Sequence, residues 1–128
     1  MRAYTVATVA VALSVKGKWI DNVLSHHRVP GVVQSRQGVS RRLTSEAVAV
    51  LAIALLLSRS LDITAPRALE IAGDLVRSGG PSPRYDLAGK GELLLNLADI
   101  EADLADRLAQ AVESAPIPRR GRPRIANR

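Results

Sequence analysis

The sequence has no cysteine and no phenylalanine, and its only aromatic residues are Tyr4, Trp19 and Tyr85. The lack of cysteine excludes disulfides, thiolate metal sites and a cysteine nucleophile, and it makes a cytoplasmic protein the expectation. Because strands favour branched and aromatic residues, an apolar content of 47% made up mostly of Ala, Val and Leu favours packed helices. We therefore predict a mainly α fold.

Long apolar runs and motifs for catalysis are also missing. The longest apolar run, residues 47–57, is shorter than the roughly 20 residues of a membrane-spanning helix. There is no Gly-rich phosphate loop and no nucleophile motif, and neither His26 nor His27 has metal-ligand spacing to a carboxylate. Carboxylates at residues 99–106 are explained by a helix start. We expect no enzyme activity, cofactor, metal or membrane partner.

Basic residues are concentrated at the two ends of the chain, whose net charge is +6. Residues 1–43 hold seven Arg or Lys and one Asp, and residues 118–128 hold five Arg and no acid. Residues 84–117 instead carry a net charge of −4. This separation favours a polyanionic partner that touches both ends, and the alternative is that the charges only keep the protein soluble.

Local patterns divide the chain into a predicted DNA-binding domain at 1–78, a linker at 79–83, a hairpin and helix at 84–115 and a disordered basic tail at 116–128. Thr5 is expected to cap a short helix to about residue 13, and a second helix follows at 16–25. The two form a helix-turn-helix. Residues 29–43 read as a hairpin wing, whose alternative is a simple solvated hairpin. Thr44 and Thr64 then cap helices that reach about residues 59 and 77.

The C-terminal part is predicted to contain a hairpin, from 84–87 and 92–97, and a helix capped by Asp99. That helix has one apolar stripe, which needs cover from its own domain or from a partner. We favour a second copy of the chain, with the stripe as a dimerisation element formed by Ile100, Leu104, Leu108 and Val112.

The residue order Tyr-Thr-Val, Val-Ala, Leu-Ser-Val, Trp-Ile and Gly-Val-Ser-Arg-Arg-Leu-Thr, followed by a Leu-rich helix, resembles the MerR-type winged helix-turn-helix family. The resemblance covers residues 4 to about 76. It implies that segment 16–25 enters the DNA major groove and that a small hairpin wing at 35–43 contacts the flanking backbone. The chain departs from the family's aromatic positions at Asn22, Val23 and Leu43. The implied DNA contacts are Lys16, Lys18, Asn22, Arg36, Arg41 and Arg42.

The C-terminal tail contains an Arg-Gly-Arg-Pro core that looks like an AT-hook. Gly allows close approach to the groove floor, Pro keeps the chain extended, and Arg side chains fit the narrow minor groove of A·T-rich DNA. A generic basic tail would still add salt-sensitive affinity. The predicted contacts in the tail are Arg119, Arg120, Gly121, Arg122, Pro123 and Arg124.

Three functions remain open from the sequence. The favoured one is a homodimeric transcriptional regulator, expected to be a repressor or autoregulator, that binds double-stranded DNA. The second is an antitoxin-like protein whose acidic C-terminal region neutralises a toxin-like protein partner. The third is an architectural protein of the excisionase or nucleoid type, for which DNA bending matters more than sequence.

Overall fold

The computed structural model of the protein describes residues 2–34 and 40–114, and the fold in these ranges is mainly helical. Two small antiparallel sheets accompany the helices. The helices are α1 (Val6–Leu13), α2 (Gly17–His26), α3 (Ser45–Leu61), α4 (Ala65–Ser78) and α5 (Leu97–Ser114). The strands are β1 (Ala3–Thr5), β2 (Val32–Val33), β3 (Arg42–Thr44), β4 (Arg84–Asp86) and β5 (Glu92–Leu94). The predicted helical fold class is confirmed at this level.

Threonine caps begin the N-terminal helices at the predicted positions. Thr5 Oγ1 accepts the backbone N–H of Thr8, and Thr44 Oγ1 accepts that of Ala47, so each side chain satisfies a donor that the first turn leaves free. Thr64 also occupies the cap position of α4, but its side chain makes no capping hydrogen bond. Thr64 contributes only its backbone carbonyl, which accepts the amide N–H of Ala68.

The start of α5 differs from the prediction. The side chain of Asn96, not that of Asp99, caps the helix: its Oδ1 accepts the backbone N–H of Asp99 at 3.2 Å. Asp99 lies inside the first turn and its carboxylate accepts from Asn96 Nδ2 at 2.8 Å. Each residue thus accepts one hydrogen bond from the other, in an arrangement that differs from a capping box because Asp99 bonds to the side-chain amide of Asn96 and not to its backbone. This early start also explains why β5 ends at Leu94 rather than at residue 97.

The three-stranded sheet has the order β1-β3-β2 and closes the base of the predicted wing. Val32 pairs with Leu43 and Val33 with Arg42, while the other edge of β3 pairs with β1. Gly31 precedes β2 and its carbonyl accepts hydrogen bonds from both the amide and the hydroxyl of Thr44. The predicted pairing of the two arms is therefore present, and the tip at 35–39 lies outside the described residues.

Helix α3 is the centre of the core. Leu51 and Ile53 are among its fully buried side chains, and α4 packs along it with a buried face that includes Ala72 and Leu75. No helix in the described ranges has the length and apolar character needed to cross a membrane.

Helix α5 packs on α1, and this contact corrects the expected dimerisation surface. Leu104 and Leu108 are only 7% and 5% exposed and belong to the same buried cluster as Val9. They are covered by their own chain, which was the alternative to a second copy. Ile100 is half-buried, and Val112, 45% exposed, is the one member of the predicted stripe that faces solvent.

The segment predicted as a linker makes hydrogen bonds to the C-terminal part of the chain. The carbonyl of Pro81 accepts the amide of Ala98, and the carbonyl of Pro83 accepts the amide of Leu95. Nearby, the Arg67 guanidinium lies 5.7 Å from the ring centroid of Tyr85 and donates to its hydroxyl. These contacts attach the β4–β5 hairpin to α4.

Candidate nucleic-acid interface

A tight turn sets the direction of α2. Ser14 adopts a left-handed conformation with φ of 57°, and its amide bonds back to the carbonyl of Val11 at 3.2 Å. The next amide, that of Val15, bonds to the carbonyl of Ala10, so the last turn of α1 is closed by two backbone bonds. Only residues 14–16 separate the two helices. The predicted pair of short helices joined by a turn is therefore present.

One side of α2 is buried and the opposite side is free. Ile20 and Val23 point into the core, while Lys18, Asn22 and Ser25 are exposed. The spacing of these three residues places them on one helix face. The face therefore offers an ammonium group, an amide and a hydroxyl, which together can donate to phosphate and to base edges.

A basic cleft of about 660 Å³ runs along one flank of this face. Three cations, Lys16, Lys18 and Arg59, line it together with Asn22, and none of its lining residues is an acid. Within the described part of the chain, none of the three cations has an ion-pair partner. The cleft therefore carries an uncompensated positive charge.

The N-terminus of α2 adds to this positive potential. Lys16 occupies its cap position and makes no side-chain capping hydrogen bond, and the first turn of α2 contains no acidic residue. The amide of Trp19 in this turn bonds to the carbonyl of Lys16. A helix N-terminus also carries a partial positive charge of about half a unit. Backbone amides and ammonium groups at the same place favour a bound anion.

The other flank of α2 is occupied by Arg41 and Arg42, which lie just before and at the start of β3. Arg41 lies 4.0 Å from the carboxylate of Asp21 and donates to Ser25 Oγ at 3.5 Å. Its charge is thus partly engaged by α2, and its clearest role is to hold the wing base against that helix. Arg42 is exposed and lines a small cleft with Arg41 and Asp21. The exposed face of α2 lies between Arg59 on one side and Arg41 and Arg42 on the other.

The structure thus brings Lys16, Lys18 and Asn22 into one cleft and places Arg41 and Arg42 beside the same helix. The predicted contacts Arg36 and Arg119, Arg120, Gly121, Arg122, Pro123 and Arg124 lie outside the described residues.

The sequence interpretation missed Arg59. In the sequence, this residue reads as a cation in the last turn of α3, where it complements the helix dipole. Only the tertiary fold brings Arg59 of α3 to the cleft that α2 lines, and no local pattern around residue 59 predicts that position.

The adjacent histidines contribute no metal site in the described ranges, where no group of three or more His, Cys, Asp or Glu side chains could hold an ion. His26 Nδ1 lies 2.8 Å from the carbonyl oxygen of Asn22, one turn earlier in α2. This contact at the end of the helix gives His26 a structural role.

Comparison with known protein families, with curated proteins and with solved structures finds no match to the chain.

Proposed function

We propose that this protein is a sequence-specific DNA-binding transcriptional regulator of the MerR-type winged helix-turn-helix kind, in which α2 reads the major groove. The observation that supports the proposal best is the exposed face of α2 beside a cleft with three cations and no acid. In this arrangement Lys16, Lys18 and Arg59 bind phosphates, and Asn22 is placed to contact a base edge. Asparagine pairs best with adenine, through bonds to N6 and N7.

The proposal has a quantitative consequence for salt dependence. Each phosphate that a cation neutralises contributes about −0.9 to the slope of log K against log salt. Lys16, Lys18, Arg59 and Arg42 together therefore predict a slope of about −3 to −4 per bound chain, before any contribution from the tail.

As a dimer, the protein would bind half-sites separated by about 10 bp or a multiple of it. Its pairing surface would be other than Leu104 and Leu108, because both side chains are buried within one chain.

The test is binding of the full-length protein to the DNA upstream of its own coding sequence and to a scrambled duplex of the same composition, across a salt series. We expect tight binding to the upstream duplex only, with Lys18→Ala weakening it and Lys90→Ala, at the exposed β4–β5 turn, leaving it unchanged. A variant that lacks residues 118–128 measures the contribution of the tail. Equal, steeply salt-dependent binding to both duplexes would instead indicate an architectural protein, and binding to neither would refute the proposal.

A further inference from the structure

A second cleft, of about 330 Å³, lies between α1, α3 and α5. Its walls are mainly apolar and include Leu13, Leu55, Leu56 and Ile100. Apolar clefts that hold small molecules typically measure about 300–1,000 Å³ and have a few polar groups that fix orientation. Both the size and the lining of this cleft fit that description.

The charged groups of this apolar cleft leave one free cation. Arg107 Nε lies 2.9 Å from Asp103 Oδ2, so these two neutralise each other. Arg59 also lines the cleft and has no acidic partner among the described residues. The charge that this cleft offers to a ligand is therefore positive and is carried by Arg59.

The apolar cleft adjoins the basic cleft on the α2 side. Leu55 and Arg59 line both of them, one turn apart on α3. The basic cleft adds Lys16 and Lys18 to Arg59, whereas the apolar cleft adds apolar walls, Ser60 and the neutralised Asp103–Arg107 pair. A molecule that bridges the two clefts would thus meet an apolar region at one end and cations at the other.

We propose that the two adjoining clefts bind a small hydrophobic carboxylate, with its apolar body between α1, α3 and α5 and its carboxylate at the Arg59 guanidinium. A second protein chain fits less well, because a stable interface buries about 1,200 Å² or more. Among the described residues, Leu56 is the only large apolar side chain that is both strongly exposed, at 42%, and part of the cleft lining. Other exposed apolar side chains, such as Val33, Leu61 and Leu94, lie outside the cleft.

The site also suggests how such a ligand acts on DNA binding, and this part rests on the proposed function. A carboxylate at Arg59 occupies a cation that otherwise binds a phosphate, and its negative charge beside Lys16 and Lys18 opposes the approach of DNA. The ligand therefore lowers the affinity for DNA by competition for the same charges.

The experiment uses Trp19, the single tryptophan of the chain, which lines the basic cleft. Octanoate is titrated into the full-length protein without DNA, below its micelle concentration, while tryptophan fluorescence is followed. Octylamine, which has the same chain and the opposite charge, is the ligand control. We expect a saturable change with octanoate and none with octylamine.

Two variants locate the site. Arg59→Gln should weaken octanoate binding by about tenfold or more, because a charge-assisted hydrogen bond is lost. Leu56→Asn should weaken it through the apolar wall. Arg77→Gln is the matched control, since Arg77 pairs with Asp74 and lines neither cleft. These side chains are exposed, so the variants should fold, as circular dichroism would verify.

The proposal is overturned if octanoate produces no saturable change, if octylamine binds equally well, or if Arg59→Gln binds octanoate as the wild type does. A second titration, with operator DNA present, tests the competition: octanoate should raise the apparent Kd for DNA and octylamine should not. If the protein binds octanoate but does not bind DNA, the proposed ligand site is retained and only the proposed function is refuted.

Discussion

Replacing Gly31 by alanine should destabilise the protein strongly, because two separate features of the backbone require glycine there. Gly31 has φ of +88°, a region that L residues rarely adopt. A Cβ at this position would lie 2.3 Å from Thr44 Oγ1 and 2.8 Å from the amide nitrogen of Ala47. Both distances are too short for non-bonded atoms, so Thr44 or the start of α3 would have to move.

The expected cost follows from these two features. A left-handed conformation costs an L residue about 1–2 kcal/mol relative to glycine. Displacing Thr44 also disrupts the side-chain cap of α3, a loss of about 1 kcal/mol. Gly31→Ala should therefore lower the free energy of unfolding by about 2–3 kcal/mol, a large part of the 5–15 kcal/mol that is usual for a domain.

Urea denaturation followed by circular dichroism measures this loss, and Gly89→Ala is the matched control. Gly89 also has a positive φ, of +73°, but a Cβ there would meet nothing within 4 Å. The control should show the conformational term alone, about 1–2 kcal/mol. If the two variants lose the same stability, then the close approach to Thr44 does not contribute and the reasoning is refuted. Adding Thr44→Ala to Gly31→Ala should cost less than the sum of the single changes, since the side chain that clashes is gone.

Three further changes test the interface and the core. Lys18→Ala should reduce the salt slope of DNA binding by about 0.9, measured by fluorescence anisotropy, whereas an unchanged slope would remove Lys18 from the phosphate contacts. Leu104→Ala should cost about 2–5 kcal/mol in urea denaturation and Val112→Ala within about 0.5 kcal/mol, because only the first is buried. Equal losses would contradict the packing of α5 on α1. Asn96→Ala should cost about 1 kcal/mol through loss of the α5 cap, and a neutral result would show that the cap contributes nothing.

The features that could be predicted from the sequence are those that depend on neighbours along the chain. The Thr5 and Thr44 caps bond to amides three residues away, and the apolar face of α2 follows from its helical period. The β4–β5 hairpin is likewise set by its turn residues. For these elements, sequence spacing and spatial neighbourhood carry the same information.

The features that could not be predicted depend on which faces meet in space. An apolar stripe on α5 shows that the helix must be covered but does not identify the cover, so the choice between α1 and a second copy was open. The same holds for the α5 cap, where both Asn96 and Asp99 are good capping residues and only the geometry selects Asn96. For Arg59, the missing information was the position of α3 beside α2.

The position of α3 beside both clefts connects the proposed DNA contact with the proposed ligand site. Leu55 and Arg59 are carried by α3, whose other face includes Leu51 and Ile53, both fully buried. A helix anchored in a close-packed core holds its backbone at a fixed place relative to its neighbours. The core therefore holds the backbone of Arg59 beside both clefts, and its side chain is carried by a helix and not by a loop. Under the two proposals, a DNA phosphate and a ligand carboxylate compete for the same Arg59 side chain, so a hydrophobic anion would oppose DNA binding without any change of fold.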